Sequence, residues 1–240
     1  MIIKCLASGS KGGTGKSTLA IIASRIARAL GIRIGVLDLA LGNPSTTVAL
    51  LGQAPRHNLA TYLMGISSVT DVVLEVPTSR GPIYLVPSGR GSSELVANVR
   101  YALDRFEALI STLEGRLHLD LVIMDFPAFN PYVDGLSPSL LKYCDVVHPV
   151  LVQDYGSLIA AYELVRFCGE GRVKTGVSVL NMVREVMGNG WVKSVGKLLG
   201  REPFVIHYDP WITRLILNGE FRDTQGVREL LGFVLRYLLH

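Results

Sequence analysis

The segment from Lys11 to Thr18 combines three glycines with two lysines and three hydroxyl side chains, a set suited to holding phosphate groups. Glycines allow consecutive backbone N–H groups to curl around phosphate oxygens, and Lys16 supplies a positive charge for the β and γ phosphates. The hydroxyl of Ser17 has the chemistry to bind magnesium. A glycine-rich turn with no chemical role would not need a lysine on each side of its glycines. The segment therefore predicts a loop that binds a nucleoside triphosphate.

The elements that must position this loop are predicted from short runs of β-branched residues, which alternate with longer segments of helical period. Strands are expected at residues 2–7, 34–37, 83–86, 121–124, 146–152, 177–180 and 204–206. Helices are expected at residues 17–30, 96–113, 137–143, 157–167, 191–199 and 227–240. The alternation predicts a doubly wound α/β fold, in which helices flank a mostly parallel β-sheet. We expect one domain over residues 1–240, with a mobile loop at residues 87–93.

The composition fits a well-filled globular domain and excludes a disordered chain, because 49% of the 240 residues are hydrophobic and only 18% are charged. No uncharged apolar run reaches the roughly 18 residues that span a bilayer, so we expect a cytoplasmic protein. The three cysteines, Cys5, Cys144 and Cys168, are widely spaced and odd in number. We expect buried free thiols, with neither a disulfide framework nor a Cys-x-x-Cys metal site.

The glycine-rich segment resembles the deviant Walker A motif of the ParA/MinD family of ATPases, in which Lys11 would be the second, signature lysine. Ser10 stands where the generic motif has glycine. The resemblance covers nearly the whole chain and implies a P-loop fold that binds ATP and Mg²⁺ and hydrolyses ATP. Its implied nucleotide-binding loop consists of Lys11, Gly12, Gly13, Thr14, Gly15, Lys16, Ser17 and Thr18.

Two aspartates at the ends of predicted strands match magnesium-binding positions of that family. Asp38 resembles the switch aspartate that ends the second strand, and residues 42–46 continue that switch. Asp125 ends an apolar run on the fourth predicted strand, which resembles the Walker B strand. The resemblance therefore implies a metal site made of Ser17, Asp38 and Asp125.

Three later residues are implied to lie near the adenine base. Asn181 resembles the strand-end asparagine that recognises adenine, because its amide offers both a donor and an acceptor; a simple turn residue is the alternative. Asp209 and Pro210 resemble the loop after the last strand, which packs against the base. His207 stands where this pattern usually has proline, and we interpret it as a packing residue because no His or Cys lies at metal-ligand spacing.

The resemblance also implies a homodimer that sandwiches ATP, with Lys11 of each subunit reaching the phosphates bound by the other. Positive charge from both sides would neutralise the charge that develops during phosphoryl transfer. The implied catalytic residues are Lys11, Lys16 and Asp38.

Ala40 departs from the family pattern, which usually has a second switch aspartate that holds the attacking water. Because alanine cannot orient a proton, we expect slow hydrolysis. The water would be held by Asp38, Asp125 or Asp154, and a nucleotide switch with almost no hydrolysis is the alternative.

The distribution of charge bears on the partner. Residues 1–165 carry 13 Lys and Arg against 13 Asp and Glu, whereas residues 166–240 carry 11 against 7. The excess of positive charge in residues 166–240 fits either helix faces exposed to solvent or a surface that binds a polyanion. A ParA-like protein would use it to bind DNA without sequence specificity and would need a ParB-like or other activating partner protein. The candidate DNA contacts are Arg184, Lys193, Lys197, Arg201, Arg214 and Arg222.

Two other classes of function stay open. MinD-like positioning of division or surface machinery usually needs an amphipathic helix after the closing core helix, but residues 227–240 fit the core helix itself and give no strong membrane signal. A metabolic enzyme or metallochaperone would need an acceptor pocket or bridging cysteines, for which there is no distinct motif. We also expect no separate DNA-reading domain, because the first predicted strand begins at residue 1 or 2.

Overall fold

The computed structural model describes residues 1–89, 98–184 and 188–239, which form an eight-stranded β-sheet with helices on both faces. The strand order is β3-β4-β2-β5-β1-β6-β7-β8, and every neighbouring pair is parallel except β3 with β4. The predicted doubly wound, mostly parallel sheet is confirmed. The strands are β1 (Ile2–Ala7), β2 (Ile34–Asp38), β3 (Leu74–Val76), β4 (Ile83–Val86), β5 (Leu121–Asp125), β6 (Val146–Leu151), β7 (Val179–Val183) and β8 (Phe204–His207).

The helices between these strands differ widely in length. They are α1 (Lys16–Ala29), α2 (Ser45–Leu51), α3 (Leu59–Leu63), α4 (Val69–Val72), α5 (Val99–Gly115), α6 (Leu136–Leu140), α7 (Tyr155–Glu170), α8 (Gly188–Leu199), α9 (Pro210–Asn218) and α10 (Gln225–Phe233). A 3₁₀ turn at Leu141–Tyr143 extends α6, and a π-helical segment at Val234–Leu238 extends α10. Within the part of the chain that the structure describes, every helix is too short or too polar to span a bilayer.

The two faces of the sheet bury separate apolar clusters, as the alternation of side chains along a strand requires. On β1, Ile3, Cys5 and Ala7 face the cluster that includes α5, α6 and α7, whereas Leu6 faces the cluster that includes α1 and α10. Because both faces are covered, the central strands are buried along almost their whole length. This burial explains why their sequences are nearly continuous apolar runs.

The order of strands places β1 between β5 and β6, at the centre of the sheet. In the register, Leu6 lies opposite Asp125, and Asp38 on β2 also lies opposite Asp125. The loops that leave β1, β2 and β5 therefore emerge side by side at one edge. This edge is where parallel α/β sheets bind their ligands.

The structure adds elements that periodicity did not indicate. The edge strand β3 has three residues, and α2, α3 and α4 have between four and seven, which is too short for a periodic pattern to stand out. As a result, the run ending at Asp125 lies on the fifth strand of the chain, not the fourth. The strand expected at 177–180 runs instead from Val179 to Val183, and the closing helix changes to π geometry at Val234.

The predicted mobile loop at residues 87–93 is contradicted over its first three residues. Pro87, Ser88 and Gly89 are buried, the carbonyl of Pro87 accepts a hydrogen bond from Leu59, and the carbonyl of Gly89 accepts one from Gly42. Residues 90–93 lie outside the described residues, as do residues 96 and 97 of the helix expected at 96–113 and residue 240 of the last helix.

The expectation of three free thiols is wrong for two of them, because Cys5 and Cys144 form a disulfide. Their Cα atoms are 5.9 Å apart, since residue 144 precedes β6, which pairs with β1. A separation of 139 residues leaves no local trace of this pairing in the sequence. Cys168 is free and buried, as expected, and burial raises the pKa of its thiol to about 12.

Reduction of this disulfide is expected to lower the free energy of unfolding by about 2–5 kcal/mol, because the bond closes a long loop in the unfolded chain. The measurement is chemical unfolding with and without reductant, with mass spectrometry to verify the redox state. Cys144→Ala should no longer respond to reductant, whereas Cys168→Ala should respond like the parent chain. An unfolding midpoint unchanged by full reduction would contradict a stabilising disulfide.

Candidate functional site

The glycine-rich loop between β1 and α1 depends on two backbone conformations that favour glycine. Gly13 has a φ of 71° and Gly15 a φ of 91°, both in the left-handed region. At Gly15 a side chain is excluded for a second reason, because a Cβ atom would lie 2.2 Å from the amide nitrogen of Asn181. The loop therefore curls tightly into the first turn of α1, where unpaired N–H groups favour an anion.

Lys16 is the buried cation of this loop. Its Nζ donates a hydrogen bond to the hydroxyl of Ser8 at 2.7 Å, and Ser8 in turn donates to the carbonyl of Lys11 at 2.5 Å. Burial lowers the pKa of Lys16, although the nearby carboxylate of Asp125 acts in the opposite direction. Among the described residues Lys16 has no salt bridge, so its charge is available to a ligand.

Asp125, at the end of β5, joins the loop to the segment after β2. One of its oxygens accepts hydrogen bonds from the hydroxyls of Ser17 and Thr46, each at 2.6 Å. Its other oxygen, Oδ1, is buried and has no partner in the described structure. Burial raises the pKa of Asp125, and the two hydroxyl contacts oppose this rise.

Asp38, at the end of β2, is held by a different set of donors. Its Oδ2 accepts from the backbone N–H and the hydroxyl of Thr47, both at 2.8 Å, and its Oδ1 accepts from the N–H of Ala40 at 3.1 Å. Burial, with the adjacent charge of Asp125, raises the pKa of Asp38 to about 6. Two buried carboxylates thus lie next to each other, and a cation between them would relieve their repulsion.

An open cleft of about 620 Å³ lies beside these groups, within the size range of ligand pockets in general. Lys16 and Ser17 line it, whereas Asp38 and Asp125 are not among its lining residues. Its walls come from the glycine-rich loop, the segment after β2, the segment after β5 and one residue of β7. The lining residues are Gly12, Gly13, Thr14, Gly15, Lys16, Ser17, Thr18, Ala40, Leu41, Gly42, Asn43, Ser45, Phe126, Pro127, Ala128 and Met182.

Lys11 is not among the residues that line this cleft. Its Nζ lies 3.0 Å from a carboxylate oxygen of Asp154, and both side chains are about two-fifths exposed. Asp154 is the N-cap of α7, where it accepts a hydrogen bond from the N–H of Ser157 at 2.9 Å. The carboxyl of Asp154 has a lowered pKa, first because of this backbone hydrogen bond and second because of Lys11.

The fold is shared with solved structures of two nucleotide-dependent proteins. The septum site-determining protein MinD of Pyrococcus horikoshii, solved with Mg-ADP, aligns with a TM-score of 0.75 at 18% identity and covers 97% of this chain and 94% of its own. A ParA family ATPase of Chlorobium tepidum aligns with a TM-score of 0.71 at 20% identity, over 97% of this chain and 98% of its own. At these identities, the likeness establishes the fold.

Sequence comparison adds two curated relatives, although no family model matches the chain. The antiactivator FleN of Pseudomonas aeruginosa is 27% identical over 177 residues, which cover 72% of this chain and 59% of FleN. An uncharacterised ATP-binding protein of Methanocaldococcus jannaschii is 30% identical over 117 residues, which cover 49% of this chain and 41% of that protein. The matched regions therefore span about half the length of these relatives.

The chain has the fold of the MinD and ParA structures, and its glycine-rich loop resembles the deviant Walker A motif. The match to FleN is a second, sequence-level likeness.

The residues of this site fit a magnesium nucleotide. The unpartnered Oδ1 of Asp125 and the hydroxyl of Ser17 are oxygen ligands of the kind that Mg²⁺ prefers, with Asp38 beside them. No group of three His, Cys, Asp or Glu side chains in residues 1–89, 98–184 and 188–239 is arranged to hold a metal. Mg²⁺ commonly takes only one or two carboxylates from a protein, because waters and phosphate oxygens supply its remaining ligands.

The residues assigned to adenine occupy two places. The amide nitrogen of Asn181 donates to the carbonyl of Thr14 at 2.8 Å, so this side chain ties β7 to the phosphate loop. It lies within β7, where the register with β8 is irregular, and not in a turn after the strand. Asp209 is the N-cap of α9, accepting from Trp211 at 2.9 Å, and Pro210 is the first helical residue. None of these three predicted residues lines the described cleft, whereas Met182 does.

His207 lies at the end of β8, outside the cleft lining, and has hydrogen-bonding partners. Its Nδ1 is 2.8 Å from one carboxylate oxygen of Glu229, and its backbone N–H donates to the other at 2.7 Å. These contacts join β8 to α10 through hydrogen bonds, and the interpretation of His207 as a packing residue stays a prediction.

The six candidate DNA contacts are all exposed, and three of them are stacked on aromatic rings. Arg214 and Arg222 lie 4.6 and 4.5 Å from the centre of the Trp211 ring, and Arg184 lies 5.1 Å from that of Tyr208. Lys193 and Lys197 are on α8, and Arg201 follows its end. The structure therefore distributes these residues over β7, α8, α9 and the turns beside them.

Sequence reasoning assigned no role to the hydroxyl residues that support the site, although Thr46 lies in the predicted switch segment. Ser8 binds Lys16, Thr46 binds Asp125, and Thr47 binds Asp38 and also accepts a hydrogen bond from the N–H of Ser88 at 2.8 Å. The consecutive hydroxyls at 45–47, at the end of that segment, were the available signal. No comparable signal marks Ser8, whose role depends on the curl of the loop.

Gly15→Ala is expected to destabilise the protein more than Gly31→Ala and to abolish nucleotide binding. Both glycines have similar φ angles, 91° and 84°, but a Cβ at Gly31 meets no atom within 4 Å. The unfavourable φ costs about 1–2 kcal/mol in each variant, and the collision with Asn181 adds about 1–3 kcal/mol at Gly15 alone. The measurements are chemical unfolding and titration with ATP. Equal losses in the two variants would show that Asn181 does not constrain the loop.

Proposed function

We propose that this chain is an ATP-dependent molecular switch, which binds Mg-ATP, dimerises around two nucleotides and hydrolyses ATP slowly. The observation that carries the proposal is the difference between the surroundings of two lysines. Lys16 is buried and lines the cleft without a salt bridge, whereas Lys11 does not line that cleft and is paired with Asp154. A second subunit is the natural acceptor for a lysine placed in this way.

Within one subunit, the described residues would bind a triphosphate by three kinds of contact. Backbone N–H groups of the loop would hold phosphate oxygens, and Lys16 would supply a positive charge. Ser17 and Asp125, with Asp38 beside them, would hold Mg²⁺, which neutralises phosphate charge when bound. Thr46 and Thr47 tie both aspartates to the segment after β2, so this segment is placed to respond to what occupies the cleft.

Dimerisation would require Lys11 to leave Asp154. The pair is partly exposed, and exposed ion pairs are typically worth only about 1 kcal/mol or less, so a triphosphate with several negative charges would compete well for the lysine. Asp154 would keep its role as the N-cap of α7 in both states, because its contact with the Ser157 N–H does not involve Lys11.

Slow hydrolysis follows from the surroundings of the attacking water. Ala40 lines the cleft and its side chain offers no acceptor, and both oxygens of Asp38 already accept hydrogen bonds from Thr47 and Ala40. Asp154 is engaged with Lys11. The unpartnered Oδ1 of Asp125 supports an action through a water, and the same atom would compete for this role as a proposed ligand of Mg²⁺.

For the surface on which the switch acts, we propose DNA, bound without sequence specificity by the ATP-bound dimer and released when a ParB-like or other partner stimulates hydrolysis. The exposed basic residues on α8, α9 and the adjacent turns support this choice, because phosphate neutralisation needs accessible Lys and Arg. Arginines stacked on Trp211 and Tyr208 have restricted side chains, which reduces the entropy lost on binding.

Positioning or regulation of other machinery is the second candidate function. Its support is the names of the relatives, since FleN is an antiactivator and the Pyrococcus protein is a septum site-determining protein. Such a protein would use the same nucleotide switch but would bind a protein or membrane partner in place of DNA.

Lys11→Ala is expected to abolish ATP-dependent dimerisation while leaving ATP binding by the monomer largely intact. The measurement is size-exclusion chromatography with light scattering in ADP and in ATP, and Lys142→Ala, another exposed lysine, is the control. Duplex DNA and anionic liposomes are added in separate arms. The parent dimer should be retained on DNA only with ATP, with a steep loss as salt increases. A dimer that forms equally well in Lys11→Ala would refute the switch, whereas retention only on liposomes would favour the second candidate.

Ala40→Asp is expected to raise the rate of phosphate release from a value below the usual range of about 1–1,000 per second, because a carboxylate at this position can orient the attacking water. The measurement is single-turnover phosphate release, with Ala40→Asn as the matched variant that keeps the size but cannot act as a base. An unchanged rate in Ala40→Asp would show that the water is held elsewhere.

A further inference from the structure

A second, apolar cavity of about 200 Å³ lies next to the nucleotide cleft. Its walls come from the segment after β2, from α3, from the segment after β5 and from α6 with the residues before it. Leu59, Leu63, Phe129 and Leu140 form a buried inner wall. Apart from Asp134 and the hydroxyl of Ser137, the lining side chains are apolar.

The position of the exposed lining residues indicates where this cavity opens. Asp134 and Gly135 are exposed, whereas the leucines of the inner wall are almost inaccessible to solvent. The Asp134 carboxylate also accepts a hydrogen bond from the N–H of Asn130, so it is held at the mouth of the cavity. A ligand would therefore meet a carboxylate at the opening and hydrocarbon deeper inside.

We propose that this cavity is a binding site for a small aromatic molecule that carries one hydrogen-bond donor. An apolar cavity of about 150 Å³ stays dry and accepts a benzene ring, so the somewhat larger space here fits a fused bicyclic ring. Water gains few partners in such a lining, whereas a ring recovers the missing dispersion contacts. The carboxylate of Asp134 selects a ligand with an N–H or O–H group.

The cavity shares walls with the nucleotide cleft. Leu41, Pro127 and Ala128 line both spaces, and they belong to the segments that follow Asp38 and Asp125. A ligand that fills the cavity would therefore favour one arrangement of these segments and change the affinity for ATP, and ATP would change the affinity for the ligand by the same factor. Only this coupling rests on the proposed function; binding of the ring does not.

Indole is the probe for this site, because it is a fused bicycle with one N–H donor. Titration of the nucleotide-free protein, followed by NMR or calorimetry, should give saturable binding with one site per chain. Leu136→Phe should weaken binding by about tenfold or more, since it fills the cavity. Leu117→Phe is the matched control, because Leu117 is also a partly buried residue in the lining of a distant cavity of about 190 Å³. It should leave binding unchanged.

A second comparison keeps the test valid if Leu136→Phe fails to fold. Benzothiophene has the shape of indole but lacks the N–H group. It should therefore bind the parent chain more weakly than indole does, whereas Asp134→Ala should bind the two compounds equally. Absence of saturable indole binding, equal weakening by Leu136→Phe and Leu117→Phe, or an indole preference that survives in Asp134→Ala would each overturn the proposal. Separate titration with ATP distinguishes this failure from failure of the nucleotide switch.

Discussion

Burial of one ammonium and two carboxylates at the same edge of the sheet is the constraint on which the rest of the structure depends. Lys16, Asp38 and Asp125 are each less than a tenth exposed, and charges removed from water are costly unless they are hydrogen-bonded. The hydroxyls of four residues supply most of the hydrogen bonds that these buried charges require. They are Ser8, Ser17, Thr46 and Thr47. One carboxylate oxygen remains unpartnered, so the cluster is incomplete without a cation or another donor.

The order of strands brings these groups together. β1 carries the loop with Lys16, β5 beside it ends in Asp125, and β2 on the other side of β5 ends in Asp38. Because the three strands are parallel and adjacent, their carboxyl ends meet at one edge of the sheet, although long stretches of chain separate them in sequence. The same edge then supplies the walls of the nucleotide cleft and of the apolar cavity beside it, which is why the two spaces share residues.

Local patterns in the sequence predicted the structural elements that depend on residues close together in the chain. The glycine-rich loop, the long helices and the apolar strands all have such patterns, and the family resemblance implied the two aspartates beside the strand ends. Contacts between distant segments left no comparable trace. The Cys5–Cys144 bond, the contact of Asn181 with Thr14 and the pairing of Lys11 with Asp154 each join residues more than a hundred positions apart. Short elements such as α3 and β3 were missed because they contain about one period of their pattern.

The contact between Gly9 and α7 has a mechanical consequence. Gly9 has a φ of 58°, and a Cβ there would lie 2.3 Å from the carbonyl oxygen of Ala160, so loop and helix touch backbone to backbone. Asp154 holds Lys11 from the start of the same helix, and the N–H of Phe129 donates to the carbonyl of Gly9. Close-packed interiors transmit strain. A small tilt of α7 would therefore displace the start of the phosphate loop and the segment after β5 together.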